Sequence, residues 1–204
     1  VNRFDGANWV GVGGVVGQLN SLLPTVSVTL KIDSTGIPFI KYTDTPMGNR
    51  VIVKRYVSTM DAWVALGDPN SGATADSDLQ LSSGVPYLAY TELAGLGGGT
   101  VEVEKYEGGS WNSLGSPGKS AWPVKLFVDG STPYVLYSDS EQGDKPFLKK
   151  YNGSSWVVVG SQISEYGAMP YSMDIYNNDP YLAYNYATYP GYFENAVIVK
   201  YIGP

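Results

Sequence analysis

One pattern of apolar and polar positions recurs along the whole chain at a spacing of about 47 residues. Each copy has a short apolar stretch that begins at proline and closes on tyrosine: PFIKY at 38–42, PYLAY at 86–90, PYVLY at 133–137 and PYLAY at 180–184. Turn-forming residues precede each proline, and at a strand start its missing N–H does the least harm. The pattern therefore predicts four copies of one β-strand.

A second recurring stretch follows each of these strands and joins a cation to an aromatic ring. The copies are VKRY at 53–56, VEKY at 103–106, LKKY at 148–151 and VKY at 199–201, and a fifth opens the chain as VNRF, Val1 to Phe4. Tight Asp-Gly, Glu-Gly or Asn-Gly connections then lead into Trp9, Trp111 and Trp156, whereas the connection into Trp63 is longer. Asp-Gly and Asn-Gly between apolar stretches are typical of β-hairpins.

Four short antiparallel strands per unit, at a period in the forties, predict an all-β protein, a β-propeller of four blades in a single domain over 1–204. The expected blades are about 27–68, 77–116, 120–161 and 171–204 plus 1–14. The strand that starts at Trp9 would complete the last blade, which is N-to-C strand closure. The surplus strand Val1 to Phe4 leaves alternatives open: displacement, terminal strand exchange in a homodimer, or a fragment of a larger propeller.

Two hairpins carry a family resemblance. GGSW at 108–111 and GSSW at 153–156 resemble the tail of the Asp-box hairpin of sialidase-like propellers, with Tyr106 and Tyr151 at the position of its acid. More broadly, the chain resembles the KYNGSSWxxVG propeller repeats of secreted and surface proteins of bacteria, which implies a propeller fold and an extracellular location. Sialidases need three converging arginines, but two of the three arginines here, Arg3 and Arg55, occupy a repeat position that holds lysine elsewhere.

Composition excludes several classes of function. The chain has 13 basic and 19 acidic residues, for a net charge of -6, and no basic run that would suit nucleic acid. It contains neither cysteine nor histidine, which removes disulfides, the usual metal ligands and the usual general base. The most apolar region is the cation-free stretch 9–30, and it carries too many polar residues and glycines for a membrane span. The start at Val1 is expected of a processed form or of a piece of something longer.

Three carboxylates recur at one repeat position. Asp44, Glu92 and Asp139 each follow the closing tyrosine of their strand by two residues, and Tyr186 takes this place in the fourth unit. Converging near a propeller axis, they would suit Ca²⁺ in the central channel or act as acid and base on a glycoside. The alternative is that each caps its own hairpin or pairs with a lysine. No other cofactor is expected.

Aromatic residues that break the repeat are the candidate ligand-binding positions. Loops between second and third strands, and those between blades, should emerge on one face of a propeller. The candidates there are Trp122, Tyr166, Tyr171, Tyr186, Tyr189, Tyr192, Phe193 and Glu194. Such rings lie against sugar faces or pack into a partner's groove, or else they shield the closure seam from water.

These patterns together favour a non-catalytic, lectin-like binding or adhesion module, secreted or on the cell surface, that recognises a glycan or a protein. Two alternatives stay open at this point. One is a glycoside-acting enzyme that uses Asp44, Glu92 and Asp139, and the other is a structural repeat segment of a larger surface protein.

Overall fold

The computed structural model describes residues 1–13, 26–44, 48–69, 72–93, 99–120, 124–177, 179–186 and 195–201. Within these ranges the chain forms β-strands and two single turns of 3-10 helix, Ser58–Met60 and Ser140–Gln142, and no α-helix. No helix in this part of the chain is therefore long and apolar enough to cross a membrane. The predicted all-β class is confirmed.

The first two blades are antiparallel sheets whose strands follow one another in chain order. The first blade comprises β3 (Val26–Ile32), β4 (Pro38–Asp44), β5 (Arg50–Val57) and β6 (Ala62–Ala65). The second comprises β7 (Thr74–Ser82), β8 (Val85–Leu93), β9 (Gly99–Glu107) and β10 (Ser110–Ser113), with β11 (Gly118–Ser120) paired to the start of β9.

The remaining strands form two more blades and an N-terminal hairpin. The third blade comprises β12 (Lys125–Asp129), β13 (Thr132–Asp139), β14 (Lys145–Tyr151) and β15 (Trp156–Val158). The fourth has three strands, β16 (Ala168–Tyr176), β17 (Asp179–Tyr186) and β18 (Asn195–Lys200), and the hairpin is β1 (Asn2–Phe4) with β2 (Trp9–Gly11). The first strands of consecutive blades contact one another, so the four sheets follow one another around an arc.

Apolar side chains fill the spaces between blades. Because side chains alternate along a strand, Leu88 and Tyr90 of β8 pack toward the first blade, where they meet Phe39. Tyr87 and Ala89 pack the other way, in one cluster with Val135 of the third blade. A blade covered on both faces needs apolar residues at successive positions, which explains the short apolar runs of the repeat.

The N-terminal strands do not close the ring as predicted. β2 pairs with β1, with Phe4 opposite Trp9, and in the described chain no N-terminal strand pairs with β18. N-to-C closure is therefore wrong for this structure. The physical reason is local: the Asp5 carboxylate accepts hydrogen bonds from Ala7 N and Asn8 N at 2.9 and 2.8 Å, and a short hairpin loop costs less closure entropy than joining the chain ends.

The hairpin instead packs against the first blade as the outer half of a preceding blade would. Trp63 Nε1 donates a 2.8 Å hydrogen bond to Val12 O. Two junctions later, Trp156 Nε1 donates to Leu114 O at 3.0 Å in the same relationship. Trp63 and Trp156 thus anchor their blades to the end of the preceding outer strand.

Candidate functional site

The loops that follow the second strands and the segments that connect the blades lie at the same edge of the sheets. Thr74 N, where the second blade begins, donates to Asn49 O in the first blade at 3.0 Å. Ala168 N, where the fourth blade begins, donates to Asp144 O in the third blade at 2.8 Å. These equivalent bonds bring each loop beside the next connecting segment, so both kinds of segment lie on one face, which we call the loop face.

Two of the predicted aromatic residues meet on this face. The rings of Tyr166 and Tyr186 stack with their centroids 5.7 Å apart and their planes 17° apart. Antiparallel pairing of β16 with β17 places Ala168 opposite Tyr186, which brings the segment before β16 over the end of β17. Tyr166 N donates to Ser164 Oγ at 3.1 Å, and the Tyr166 side chain remains 48% exposed. Strand pairing and the Ser164 hydrogen bond therefore fix the pair in place, and its aromatic surface stays accessible to solvent.

The other aromatic candidates do not join this pair in the structure. Tyr171 lies at the β-bulge between Pro170 and Ser172 and is 52% exposed. Over the described ranges, Tyr171 makes no ring contact with Tyr166 or Tyr186. Trp122, Tyr189, Tyr192, Phe193 and Glu194 lie outside the described residues.

Two of the three candidate carboxylates accept hydrogen bonds from backbone N–H groups of nearby loops. Asp139 accepts from Glu141 N at 2.9 Å and begins the second 3-10 turn, and Glu92 accepts from Gly72 N at 2.9 Å. Asp44 lies opposite Arg50 where β4 leaves its sheet. In the part of the chain that the structure describes, no three acidic side chains come close enough together to hold a metal ion. Asp139 thus caps the turn that follows its own strand, whereas Glu92 holds the segment that connects the first blade to the second.

Acidic side chains also gather at the junction of the first two blades. Tyr90 donates its phenol proton to Glu104 Oε1 at 2.7 Å, and burial together with this bond raises the pKa of Tyr90. Burial, and then the nearby Glu92 and Glu104 carboxylates, raise the pKa of Glu102. Glu104 stands where the first and third blades have Lys54 and Lys149, so this group is particular to the second blade.

A lysine buried at the same junction went unnoticed in the sequence. Lys41 is 0% exposed, and its Nζ donates to Ser27 O at 3.0 Å, to Ser27 Oγ at 2.8 Å and to Ser77 O at 2.8 Å. Burial lowers the pKa of Lys41 to about 8, against the opposing effect of the Asp76 and Asp78 carboxylates. The amine thus ties the first strands of two blades together.

A cleft of about 490 Å³ between the second and third blades is a further feature that the sequence did not reveal. Its walls carry tyrosines, lysines and amide or hydroxyl groups, among them Tyr87, Lys105, Tyr134, Lys150, Tyr151 and Asn152. Each of these residues belongs to a repeated position, so none of them stands out in the sequence as a candidate for ligand binding. Their convergence depends on how two neighbouring blades lie side by side, which no single repeat shows.

Comparison with known proteins supports the fold. No family model and no curated protein matches the chain. Among solved structures, a thermostable family-43 glycoside hydrolase is similar with a TM-score of 0.53 and 13% identity, over 88% of this chain and 72% of that one. The Aleuria aurantia lectin in complex with alpha-methyl-L-fucoside is similar with a TM-score of 0.53 and 14% identity, over 94% of this chain and 66% of the lectin.

The same lectin in complex with Fucalpha1-6GlcNAc gives a TM-score of 0.53 at 15% identity, over 97% of this chain and 69% of that one. The chain therefore spans about two thirds of the lectin's length. At such low identity the likeness concerns the fold alone, and it agrees with the repeated four-stranded sheets. The protein has the β-propeller fold.

Proposed function

We propose that this propeller is a glycan-binding module that uses the loop face around Tyr166 and Tyr186. The stacked, accessible Tyr166–Tyr186 pair is the observation that carries the proposal. The C–H groups of a pyranose ring lie well against such a ring, and phenol hydroxyls at its edge serve as hydrogen-bond partners. The fold adds support, since solved structures similar to this chain include a lectin with bound fucosides and a glycoside hydrolase.

Polar groups beside the pair suit hydroxyl-rich ligands. Ser164 and the exposed Glu165 directly precede Tyr166 along the chain, and Gln162 Nε2 donates to Ser164 O at 2.8 Å, which supports the shape of the segment. A loop held in this way loses little conformational entropy when a ligand binds. Sugar recognition needs this combination of one flat apolar surface and several hydrogen-bonding groups.

The hydrogen bonds that the candidate acids already make favour binding without catalysis. Glu92 and Asp139 each accept a hydrogen bond from a backbone N–H that shapes a loop. A glycosidase needs two carboxyl groups placed about 5 to 9.5 Å apart across an open site. The extracellular location implied by the repeat resemblance belongs to the same proposal, because glycans are abundant there.

A glycan array followed by calorimetric titration tests this proposal. The whole chain is screened first, and the strongest neutral glycan is then titrated into wild type, Tyr166→Ala and Tyr176→Ala. Tyr176 is a suitable control because it is an exposed tyrosine at the opposite end of β16. We expect Tyr166→Ala to weaken binding about tenfold or more, which is about 1.4 kcal/mol, and Tyr176→Ala to bind as wild type. Equal affinities for all three proteins, or no glycan retained, would overturn the proposal.

A further inference from the structure

The fourth blade leaves its outward face uncovered. Leu182 and Val199 pack toward the third blade, so the alternate residues Ala183 and Ile198 point away from it. Ile198 is 79% exposed. At the same repeat position the other three blades have residues that are 0 to 2% exposed, namely Val53, Val103 and Leu148. The arc thus ends in a face of the kind that is buried between blades, which we call the end face.

The first blade leaves the opposite face uncovered, which we call the start face. Leu30 lies opposite Ile40 on this face and is 46% exposed. Leu79 and Leu126 hold the same position in the second and third blades, and both are buried against the preceding blade. Ile32, two residues further along β3, is also exposed on the start face. The two ends of the arc therefore carry the two halves of the interface that joins its blades.

The outer edge of β18 is also open, because no strand of the described chain pairs with it there. In the other three blades the tyrosine of the third strand packs on the tryptophan of an outer strand, as Tyr56–Trp63, Tyr106–Trp111 and Tyr151–Trp156. Tyr201 holds this tyrosine position in the fourth blade. Over the described ranges no tryptophan packs on its ring. An open strand edge of this kind is a template for pairing with a further strand.

A cavity of about 150 Å³ lies beside this edge, between the third and fourth blades. Val159, Gly160 and Tyr201 line it, together with Ile163, Leu182 and Val199. At the first blade, a Cβ on Gly13 would meet both Trp63 and Tyr56, whereas the atoms nearest to a Cβ on Gly160 all belong to Tyr201. Val159 O is the repeat counterpart of Val12 O, which accepts from Trp63 Nε1. An apolar cavity of this volume can hold an aromatic ring, so its lining is that of a tryptophan site.

Trp9 is the tryptophan that fits this cavity. It begins β2, which is the counterpart of the outer strands β6, β10 and β15, and its side chain is 71% exposed. Only three residue pairs join β2 to β1, and every residue of β1 is exposed. β1 and β18 hold the same repeat position, so β18 can replace β1. Trp9 would then lie opposite Tyr201, as Trp156 lies opposite Tyr151.

From these observations we infer that copies of this chain associate head to tail by strand exchange. The β2 strand of one copy leaves β1 and pairs with β18 of a second copy, where Trp9 enters the cavity and donates to Val159 O. The start face of the first copy then packs on the end face of the second. The partner is a second copy because the bond from Trp63 to Val12 keeps β2 on its own first blade, where the end face of the same chain does not reach. This assembly is independent of glycan binding.

The first test measures the molar mass of the whole chain in solution by light scattering up to high micromolar concentration. Wild type is compared with Trp9→Ala and with Phe4→Ala. Phe4 is the matched control because its exposed ring lies 5.5 Å from that of Trp9 but belongs to β1, which the assembly releases. Both side chains are exposed, so both variants should keep the fold, which circular dichroism checks.

We expect wild type and Phe4→Ala to have a mass of at least twice 22.0 kDa. Trp9→Ala should have a mass of 22.0 kDa, because a buried tryptophan at the centre of an interface contributes much of its affinity. A wild-type mass of 22.0 kDa at every concentration would overturn the inference, and so would equal association of Trp9→Ala and wild type. Equal loss in the Trp9 and Phe4 variants would also overturn it, because the intact hairpin would then be the contact.

A mixing experiment tests the head-to-tail geometry itself. Ile198→Glu places a charge on the end face and should be monomeric, whereas Val158→Glu, at an exposed apolar residue on the outer strand of the third blade, should associate as wild type does. Trp9→Ala keeps an intact end face and Ile198→Glu keeps an intact Trp9 strand, so an equimolar mixture should form a one-to-one complex. A mixture in which both proteins stay monomeric would contradict head-to-tail association.

Discussion

The phenol of Tyr137 donates a 2.9 Å hydrogen bond to Pro117 O, in the segment that leads from the second blade into the third. One blade later, the phenol of Tyr184 donates to Ile163 O at 3.2 Å in the same relationship. The closing tyrosine of the third and fourth blades thus holds the preceding connection, whereas Tyr90 of the second blade donates to Glu104 Oε1. Burial raises the pKa of Tyr137. This explains why the repeat keeps tyrosine at a buried position where phenylalanine would pack equally well.

Removing this hydroxyl should destabilise the fold without changing its shape. We expect Tyr137→Phe to lower the free energy of unfolding by about 1 kcal/mol. The loss should be modest because Pro117 O keeps a second donor, Lys149 Nζ, when the phenol is removed. Tyr176→Phe, at an exposed tyrosine, should change it by less than about 0.5 kcal/mol. Urea unfolding measures both values. Equal stabilities of the two variants would contradict the structural role of the bond.

Two glycines occupy the same repeat position, so alanine variants of both can separate the stability cost of a steric clash from the cost of backbone strain. Gly160 and Gly115 both have a φ of +78°, but a Cβ at Gly160 would lie 2.8 Å from the Tyr201 ring, whereas one at Gly115 meets nothing within 4 Å. Both alanine variants share the left-handed strain of about 1 kcal/mol. Gly160→Ala should cost about 1 to 3 kcal/mol more, because the ring must move.

Thermal and urea unfolding of the two alanine variants supply the comparison. The account requires Gly115→Ala to be the more stable variant. The reverse order, or identical stabilities, would show that Tyr201 does not pack on Gly160 in solution.

The buried amine of Lys41 predicts a dependence of stability on pH. Below pH 8 Lys41 is protonated in both the folded and the unfolded chain, so it contributes no pH dependence. Between pH 8 and 10.5 the folded protein has released a proton that the unfolded chain still holds, so the free energy of unfolding should rise with pH. Lys41→Met should lack this rise.

The measurement for Lys41 is the difference in urea unfolding between wild type and Lys41→Met from pH 7 to pH 10. Tyrosines with raised pKa values, such as Tyr90 and Tyr137, act in the opposite direction above pH 10, but both proteins share them. A constant difference across this window would show that Lys41 titrates normally and is not buried as described.

Much of the fold followed from local pattern. Proline and turn residues mark strand starts, so β4 begins at Pro38 as expected and β8 begins one residue before Pro86. The sequence did not predict the partner of β2, because the strand that begins at Trp9 could pair with either β1 or β18. The short turn at Asp5 favours pairing with β1. Pairing between distant segments depends on geometry that the repeat does not contain.

In the candidate sites too, local sequence pattern predicts some features, whereas others depend on how distant segments meet. Tyr166 and Tyr186 stood out because they break the repeat, and the register of β16 and β17 brings them together. Lys41 also breaks the repeat, standing where the other blades have Ala89, Leu136 and Ala183, and that signal was available. The cleft between the second and third blades was hidden because residues that line it, such as Tyr87, Lys105 and Tyr151, conform to the repeat.

Chemical-shift mapping of a bound neutral oligosaccharide tests the central claim most directly. The isotope-labelled chain is titrated with the strongest neutral glycan from the array, and the oligosaccharide is recovered afterwards for mass analysis. The account predicts that the largest shifts lie at Tyr166 and Tyr186 and that the oligosaccharide returns intact. Shifts centred on Glu92 and Asp139 together with a shortened oligosaccharide would contradict it and establish an enzyme instead.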